Sequence, residues 1–396
     1  MALLSSALGA IAGAAGASPA LTYAGLSETY QGFSSPEASV YINGSDFYRD
    51  DMIVTDISVE LTSGFEASVA SLRVYNVFDK YTGNFKYDAI KKQVVLGASL
   101  EIRLGYLGKV IPVFIGFVSD VAFGFDPTDL PYIEIRAMDA KGAMMSNSYA
   151  QQLKADSYGQ AVSEILKRTS YEKLRKGSII TAVHVTDTPD KSAGGKQGET
   201  PYTVEMVEES DYEFIVKAAK KFNFEFFVDR GEVYFRKAKS DTSVLMELGV
   251  GSGLVKFEIG YGITGLVGQV EVRSMDPGTG KMISAKKKLS NTISTGSIAS
   301  GIVSSSQKVY IDPTAMTQEQ ADARAAYLAE EISYRLGTLE CTCPGIPDLS
   351  PGRFVKVTGL GVPVDNTFYV TNVIHDFRTE SGYQTRLLAK AAEVKK

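Results

Sequence analysis

EESDYEFIVKAAKKFNFEFFVDRGEVYFRK, running from Glu208 to Lys237, reads as a helix followed by a hairpin. Ser210 is placed to cap the helix, and Glu213, three residues on, completes a capping box. Ile215, Ala218, Ala219 and Phe222 recur at i, i+3, i+4 and i+7 and form one apolar stripe. Lys217, Lys220 and Lys221 fall on other faces. Asn223 ends the helix, since asparagine tolerates the left-handed conformation of a C-terminal cap. FEFFVD and EVYFRK are then two strands joined through Arg230–Gly231. The stretch is closely specified, yet it holds no constellation of reactive side chains.

On its amino-terminal side the pattern is mostly strand from Ala38 to Asp139. SVELTS (Ser58–Ser63) and ASVASLRVYN (Ala67–Asn76) alternate apolar and polar residues, as half-buried strands do. After a polar interruption, Val94–Phe123 resumes the alternation, with Leu100, Ile102 and Leu104 facing one way and Glu101 and Arg103 the other. YIEIRAMDA (Tyr132–Ala140) closes the set. Short strands with glycine-marked turns point to a small barrel or sandwich. Beyond Ser148 the character changes: Ser157–Ser170 is helical, with Ala161, Val162, Ile165 and Leu166 as its apolar stripe. Thr188–Pro201 reads as a polar, glycine-rich loop.

On the carboxy-terminal side, strands return at Gly253–Gly260 and Gly265–Ser274, followed by a turn at Asp276–Lys281. SNTISTGSIASGIVSSS (Ser290–Ser306) reads as a loop or linker. Thr317–Leu336 is a helix, capped by Thr317 with Gln320 and striped by Ala321, Ala325, Leu328 and Ile332. Leu339–Ala391 is strand-rich again, and it echoes the first strand region. Leu96–Gly108 and Pro351–Gly361 both place a glycine before an alternating strand and a glycine turn after it. VFIGFVSDVAF follows in one case and TFYVTNVIHDF in the other, and each set ends on an aromatic-led strand, from Tyr132 and from Tyr383. The sequence therefore predicts two similar β units separated by an α/β insert.

Composition narrows the function classes. The 396 residues include 41 basic and 46 acidic ones, a net charge of −5, which argues against non-specific nucleic-acid binding. Abundant glycine, tyrosine and phenylalanine favour strands and turns. Met1–Ala20 superficially resembles a signal peptide, but the first basic residue is Arg49, so the positive n-region is missing. No run of residues reaches the ~20 apolar positions of a membrane-spanning helix.

The search for chemistry finds little. Cys341 and Cys343 lie two apart, on one strand face, poorly placed to bridge each other, and read as packed thiols. With only His184 and His375 available, a metal site lacks ligands. His375 neighbours Asp376, but adjacent strand residues point to opposite faces, so both histidines read as structural. GYGITGLVG (Gly260–Gly268) lacks the strand–helix setting and the downstream Lys-Ser/Thr of a phosphate loop, and reads as a strand with bulges. Glu208–Glu209 and Glu330–Glu331 read as solvated pairs, and Lys286–Lys288 as a solvated strand edge. No catalytic, cofactor-binding or metal-binding residue is assigned, and the expectation is a scaffold that is not an enzyme.

Three stretches carry a family resemblance. ESDYEFIVKAAKKFNFEFFVDRGEVYFRK resembles the "E-S-D-y-x-F…A…x-x-y-x-f…l-x-F" module of phage late control protein D. VFIGFVSDVAF with IRAMDAKGAMM is similar to that family's "F-x-G-x-V…v-x-x-x-D" strand pair. PGIPDLSPGRFVKVTGLG…FYVTNVIHDF…SGYQTRLLAK resembles its "G-x-P-x-L-x-P-G…Y-x-V-x-x-v-x-H…G-Y-x-T" pattern. The family usually has glycine where Asn223 stands. It includes contractile-tail hub proteins and the hub portion of type VI secretion VgrG spikes, whose fused neck and needle find no counterpart here.

The resemblance implies a β-rich α+β fold with two tube-type β-barrel domains, an α/β insert, and a ring-shaped homotrimer of pseudo-sixfold symmetry. It divides the chain into an Ala/Gly-rich arm (1–24), a first barrel domain (25–148) and the α/β insert (149–240). Strands and a Ser/Gly-rich linker completing the barrels follow (241–310), then a helix with the second tube-type domain (311–396). It implies a baseplate hub of a phage tail, R-type bacteriocin or related device, assembled in the bacterial cytoplasm. The implied partners are a trimeric spike, a hexameric tail tube, a baseplate wedge and a tape-measure protein, with no cofactor and no sequence-specific nucleic-acid binding. Two other classes compete: a tail-borne cell-wall hydrolase, which needs an acidic pair in a cleft, and a glycan-binding β protein.

Overall fold

Alternating apolar residues in the two outer regions of the chain build one 14-stranded sheet. The structure, a computed structural model, describes residues 20–47, 52–86, 91, 94–126, 130–190, 204–276, 278–289 and 297–394. Twelve of the strands fall into two sets of six. The first set is β1 (Pro36–Ile42), β2 (Ile53–Thr62), β3 (Val69–Tyr75), β4 (Ser99–Tyr106), β5 (Lys109–Gly124) and β6 (Tyr132–Met138). The second is β7 (Val244–Val250), β8 (Lys256–Tyr261), β9 (Gly337–Pro344), β10 (Phe354–Val357), β11 (Asn366–Arg378) and β12 (Gly382–Ala391). Neighbours in the first set run β1-β4-β5-β6-β3-β2, and in the second β7-β10-β11-β12-β9-β8. Chain order and spatial order therefore repeat together.

The correspondence extends to single residues. Ser119 is the extra residue of a β-bulge between β5 and β6, and Thr371 is the extra residue between β11 and β12. Val118 thus corresponds to Val370, and their partners Ala137 and Ala389 correspond as well. One pairing differs: β1 meets β4 antiparallel, whereas β7 meets β10 parallel.

The two sets join edge to edge, β2 pairing antiparallel with the later half of β11. Ile57, Val59 and Leu61 of β2 and Val373 and His375 of β11 are all buried, and both sets share one apolar core. Two separately closed barrels are not found: among the described residues neither ladder closes on itself. The reason is visible in the pairing, since the outer edge of β2 is taken by β11 instead of by its own set.

Between β6 and β7 lies the insert, with its own core. Its helices include α1 (Tyr158–Leu166) and α2 (Asp211–Phe222), and the Phe224–Asp229/Glu232–Lys237 hairpin pairs with Ala182–Val185. The capping box of Ser210 and Glu213 forms, and Asn223 is left-handed at φ 57°, ψ 48°. Between β8 and β9 lies a third body. Strands Gln269–Met275, Met282–Lys288 and Gln307–Ile311 are covered by α4 (Gln318–Ser333), which follows α3 (Ser297–Ser305).

Here the expectation for 241–310 needs correcting. Among the described residues only β7, β8 and the short strand between them join the main sheet, while Gln269–Met275, Met282–Lys288 and Gln307–Ile311 pair among themselves, because a local hairpin offers α4's apolar stripe a face to cover. Ser290–Ser306, expected as a linker, contains α3. Its serines bond back to the preceding turn, Ser304 Oγ to Gly301 O at 3.3 Å and Ser305 Oγ to Ile302 O at 3.2 Å, and Val303 packs on the core. Met1–Pro19 of the expected arm and most of the Thr188–Pro201 loop lie outside the described residues.

Candidate assembly surfaces

The hairpin of the opening stretch fastens the insert to the second β set. Arg230 Nη2 donates to Pro347 O at 3.0 Å, and Arg236 Nη2 donates to Gly352 O at 2.8 Å. Arg236 Nε also pairs with Glu225 at 2.6 Å, and the same carboxylate accepts from the Tyr369 hydroxyl. Asn223 Nδ2 reaches Glu330 on α4 at 2.6 Å. At the other end, Tyr212 OH donates to Phe65 O at 3.1 Å, in the turn between β2 and β3. The module is a bracket holding three bodies together.

Those contacts explain part of the "G-x-P-x-L-x-P-G" pattern, which composition alone does not. Pro347 and Gly352 present the carbonyls just named. Gly345 lies flat against the Tyr383 ring, where an added Cβ would come within 2.1 Å of a ring carbon. The "H…G-Y-x-T" residues form one buried network: His375 Nδ1 lies 2.9 Å from Tyr383 OH and 3.2 Å from Thr385 Oγ1, which accepts from Ile346 N at 2.9 Å.

His375 is fully buried, and burial, helped by repulsion from Arg230, pushes its imidazole down to about 3. It is neutral in the fold. Asp376, its sequence neighbour, points away and accepts from Ser58 Oγ at 2.8 Å. Because the unfolded imidazole titrates near 6.5, the unfolded chain binds an extra proton between that value and about 3. The stabilisation is complete above pH 6.5 and is lost as pH falls toward 3, with a slope of about 1.4 kcal/mol per pH unit. Denaturant melts over that range are expected to be flatter for His375→Gln by that slope. An unchanged slope would assign the acid loss to other groups.

The remaining candidate residues stay apart. His184 lies half exposed on Ala182–Val185, stacked on Tyr234 and 2.9 Å from Glu232. Cys341 and Cys343 are free and buried. Lys286–Lys288 end the edge strand of the small sheet. Gly260–Gly268 spans the end of β8 and the connection to the next strand. Among the described residues no three His, Cys, Asp or Glu side chains cluster as a metal site, and no helix is long and apolar enough to cross a membrane.

A cleft of about 930 Å³ lies between the hairpin, α4 and the second β set. Five glutamates line it, and three of them face cations: Glu225 lies 2.6 Å from Arg236, Glu331 lies 3.6 Å from Arg335, and Glu340 lies 3.9 Å from Arg386. Burial holds the Lys239 ammonium below its ordinary range beside them. These three pairs line a joint between neighbouring bodies.

Among the described residues, two stretches of the main sheet have a strand on one side only. β8 pairs with β9 on one side, and no other strand among the described residues lies along its outer edge. Val255 beside it is 69% exposed. On β5, pairing with β4 ends at Phe117, so that among the described residues Ser119–Ala122 meet a strand, β6, on one side only. An open strand edge is a ready template for another chain.

A sheet of two matched six-strand sets with an α/β bracket is an architecture shared with phage tail proteins. A tail protein from Neisseria meningitidis MC58 superposes with a TM-score of 0.62 at 13% identity, over 90% of this chain and 97% of that one. The 43 kDa tail protein of prophage MuSo2 from Shewanella oneidensis gives 0.63 at 15% identity, over 90% and 99%. An E. coli protein described as a component of the type VI secretion system gives 0.52 at 11%, over 90% and 78%. No curated protein matches in sequence. A family model described as Alg8 N-terminal domain matches residues 36–379, and the chain belongs to that family.

Proposed function

We propose that this chain is a structural baseplate hub of a contractile injection particle, of the late control protein D kind, and not an enzyme. Three copies form a ring in which each contributes two tube-type units, so that six similar units face a hexameric tail tube and three identical chains face a trimeric spike. Its work is symmetry adaptation and nucleation of the tube, with a baseplate wedge and a tape-measure protein as further neighbours. Assembly takes place in the bacterial cytoplasm before the particle leaves.

The observation that carries this reading is the pair of six-strand sets with the same chain order and the same spatial order, joined edge to edge. A scaffold that must present nearly equal surfaces twice per chain has reason to repeat in this way. Fold likeness to tail proteins supports it further. Light scattering and electron microscopy of the purified protein are expected to give a trimer of ring shape. A strictly monomeric chain, alone and with its spike and tube partners, would overturn the reading.

A further inference from the structure

We infer that β8 of one copy adds, antiparallel, to the later half of β5 in the next copy, with Tyr261 opposite Val121 and Gly262 opposite Asp120. The inference rests on the ring reading above and names the strands and the register that make the ring.

The template is inside the chain. β2 lies on the later half of β11 with Leu61 opposite Val373 and Thr62 opposite Asn372. Ser63 N donates to Thr371 O at 2.9 Å in the same joint. Residue correspondence carries this register outward. The bulges align Ser119 with Thr371, hence Asp120 with Asn372 and Val121 with Val373. On the other strand, Ala137 holds Ala70, which holds Val59, while Ala389 holds Leu339, which holds Ile259. Val59 therefore corresponds to Ile259, Leu61 to Tyr261 and Thr62 to Gly262.

The direction of the backbone is an independent check on that register. Gly262 N donates to Leu336 O at 2.9 Å, on the β9 side. Successive residues of a strand turn their N–H groups to opposite edges, so Tyr261 and Ile259 present theirs outward. In β2 the Ser63 N–H points to β11, and so do those of Leu61 and Val59. The corresponding residues of both strands thus offer their donors to the joint. A register shifted by one residue would fail this test.

The receiving surface also fits. Ser119–Ala122 form one wall of a shallow groove whose other wall includes Val95, 47% exposed, and Leu96, 65% exposed. Ala122 is exposed, whereas its counterpart Ile374 is buried beside β2. What the internal joint covers on β11 is uncovered on β5. Each copy carries one donor edge and one acceptor edge, which makes the contact head-to-tail and closes into a ring if its rotation closes.

Paired cysteines read the register directly. Opposite residues of a non-hydrogen-bonded antiparallel pair bring their Cβ atoms into disulfide range, and a Cβ at Gly262 meets open space. The Asp120→Cys/Gly262→Cys chain, oxidised mildly, is expected to run as covalent dimers and trimers on non-reducing gels. Asp120→Cys/Lys256→Cys, displaced by about 20 Å along the strand, is expected to stay uncrosslinked. The buried native thiols leave little background. In a second variant, Ile259→Pro removes one outward donor while sparing the β8–β9 ladder. It is expected to weaken assembly tenfold or more, with circular dichroism unchanged. A trimer of the right mass that crosslinks equally through both pairs, or through neither, or that tolerates Ile259→Pro, overturns this joint and leaves the hub reading standing. A monomer throughout overturns both.

Discussion

Asp211→Ala is expected to destabilise the protein by about 3–5 kcal/mol, the cost of breaking a buried ion pair from one side. Asp211 opens α2 immediately after the capping serine and has no exposed surface. Its carboxylate accepts from Arg168, from Tyr171 OH at 2.5 Å and from Asn147 Nδ2 at 3.1 Å, while its own N–H donates to Asn147 Oδ1 at 2.9 Å. Burial, then the hydrogen bond to Asp211, pushes the Tyr171 phenol well above its ordinary range. Removing the carboxylate strands a guanidinium, a phenol and an amide together in the insert core. It also takes a negative charge from the positive end of the helix.

Chemical denaturation followed by circular dichroism measures the loss. Asp211→Asn keeps an acceptor for Tyr171 but not the charge facing Arg168, so it should fall between parent and alanine variant. A loss below about 1 kcal/mol for Asp211→Ala, no more than a capping serine contributes, would mean that the clamp is dispensable.

How much of this was legible beforehand follows from the range of each interaction. The helix from Ser210 with its capping box, the Arg230–Gly231 hairpin and the helix after Thr317 depend on residues three or four apart, and the sequence displays them. Period-two alternation displayed most strands for the same reason. Asp211 is different: its partners come from segments about 40 and 64 residues away, and no local pattern announces them. The β2–β11 joint links strands more than 300 residues apart. The repeat was faintly visible in glycines and aromatics, yet the bulges that prove it sit at Ser119 and Thr371, a pair no composition argument selects. α3 was hidden because serine and glycine disfavour helices intrinsically, and only the back-bonded hydroxyls and the Val303 contact reverse that. Of the assembly surfaces, the Pro347 and Gly352 carbonyls were flagged by a motif. The open edges of β5 and β8 appear only once the pairing is known.

Lys141→Met is the second large effect, again about 3–5 kcal/mol, and it tests what ties the insert to the first β set. Lys141 is fully buried, and its ammonium donates to Gly64 O at 3.2 Å and to Glu66 O, in the turn between β2 and β3. Asp139 lies 3.9 Å away and accepts from Ser68 N and Lys141 N, both at 2.8 Å. Burial drives both groups toward their neutral forms, and the mutual attraction opposes it. Methionine fills similar space but leaves two carbonyls without a donor and the carboxylate without its cation.

The double variant Asp139→Asn/Lys141→Met separates these causes. If the orphaned charge dominates, the double variant recovers part of the loss, since no uncompensated carboxylate remains. If it is no more stable than Lys141→Met, the Gly64 and Glu66 carbonyls carry the effect. A single variant as stable as the parent would sink both accounts. The turn held by Lys141 also receives Tyr212 from α2 and leads from Ser63, whose N–H bonds Thr371 at the end of the β2–β11 joint. Slack in that turn therefore reaches the seam between the two β sets, and in Lys141→Met the amide of Ser63 is expected to exchange hydrogen faster than in the parent.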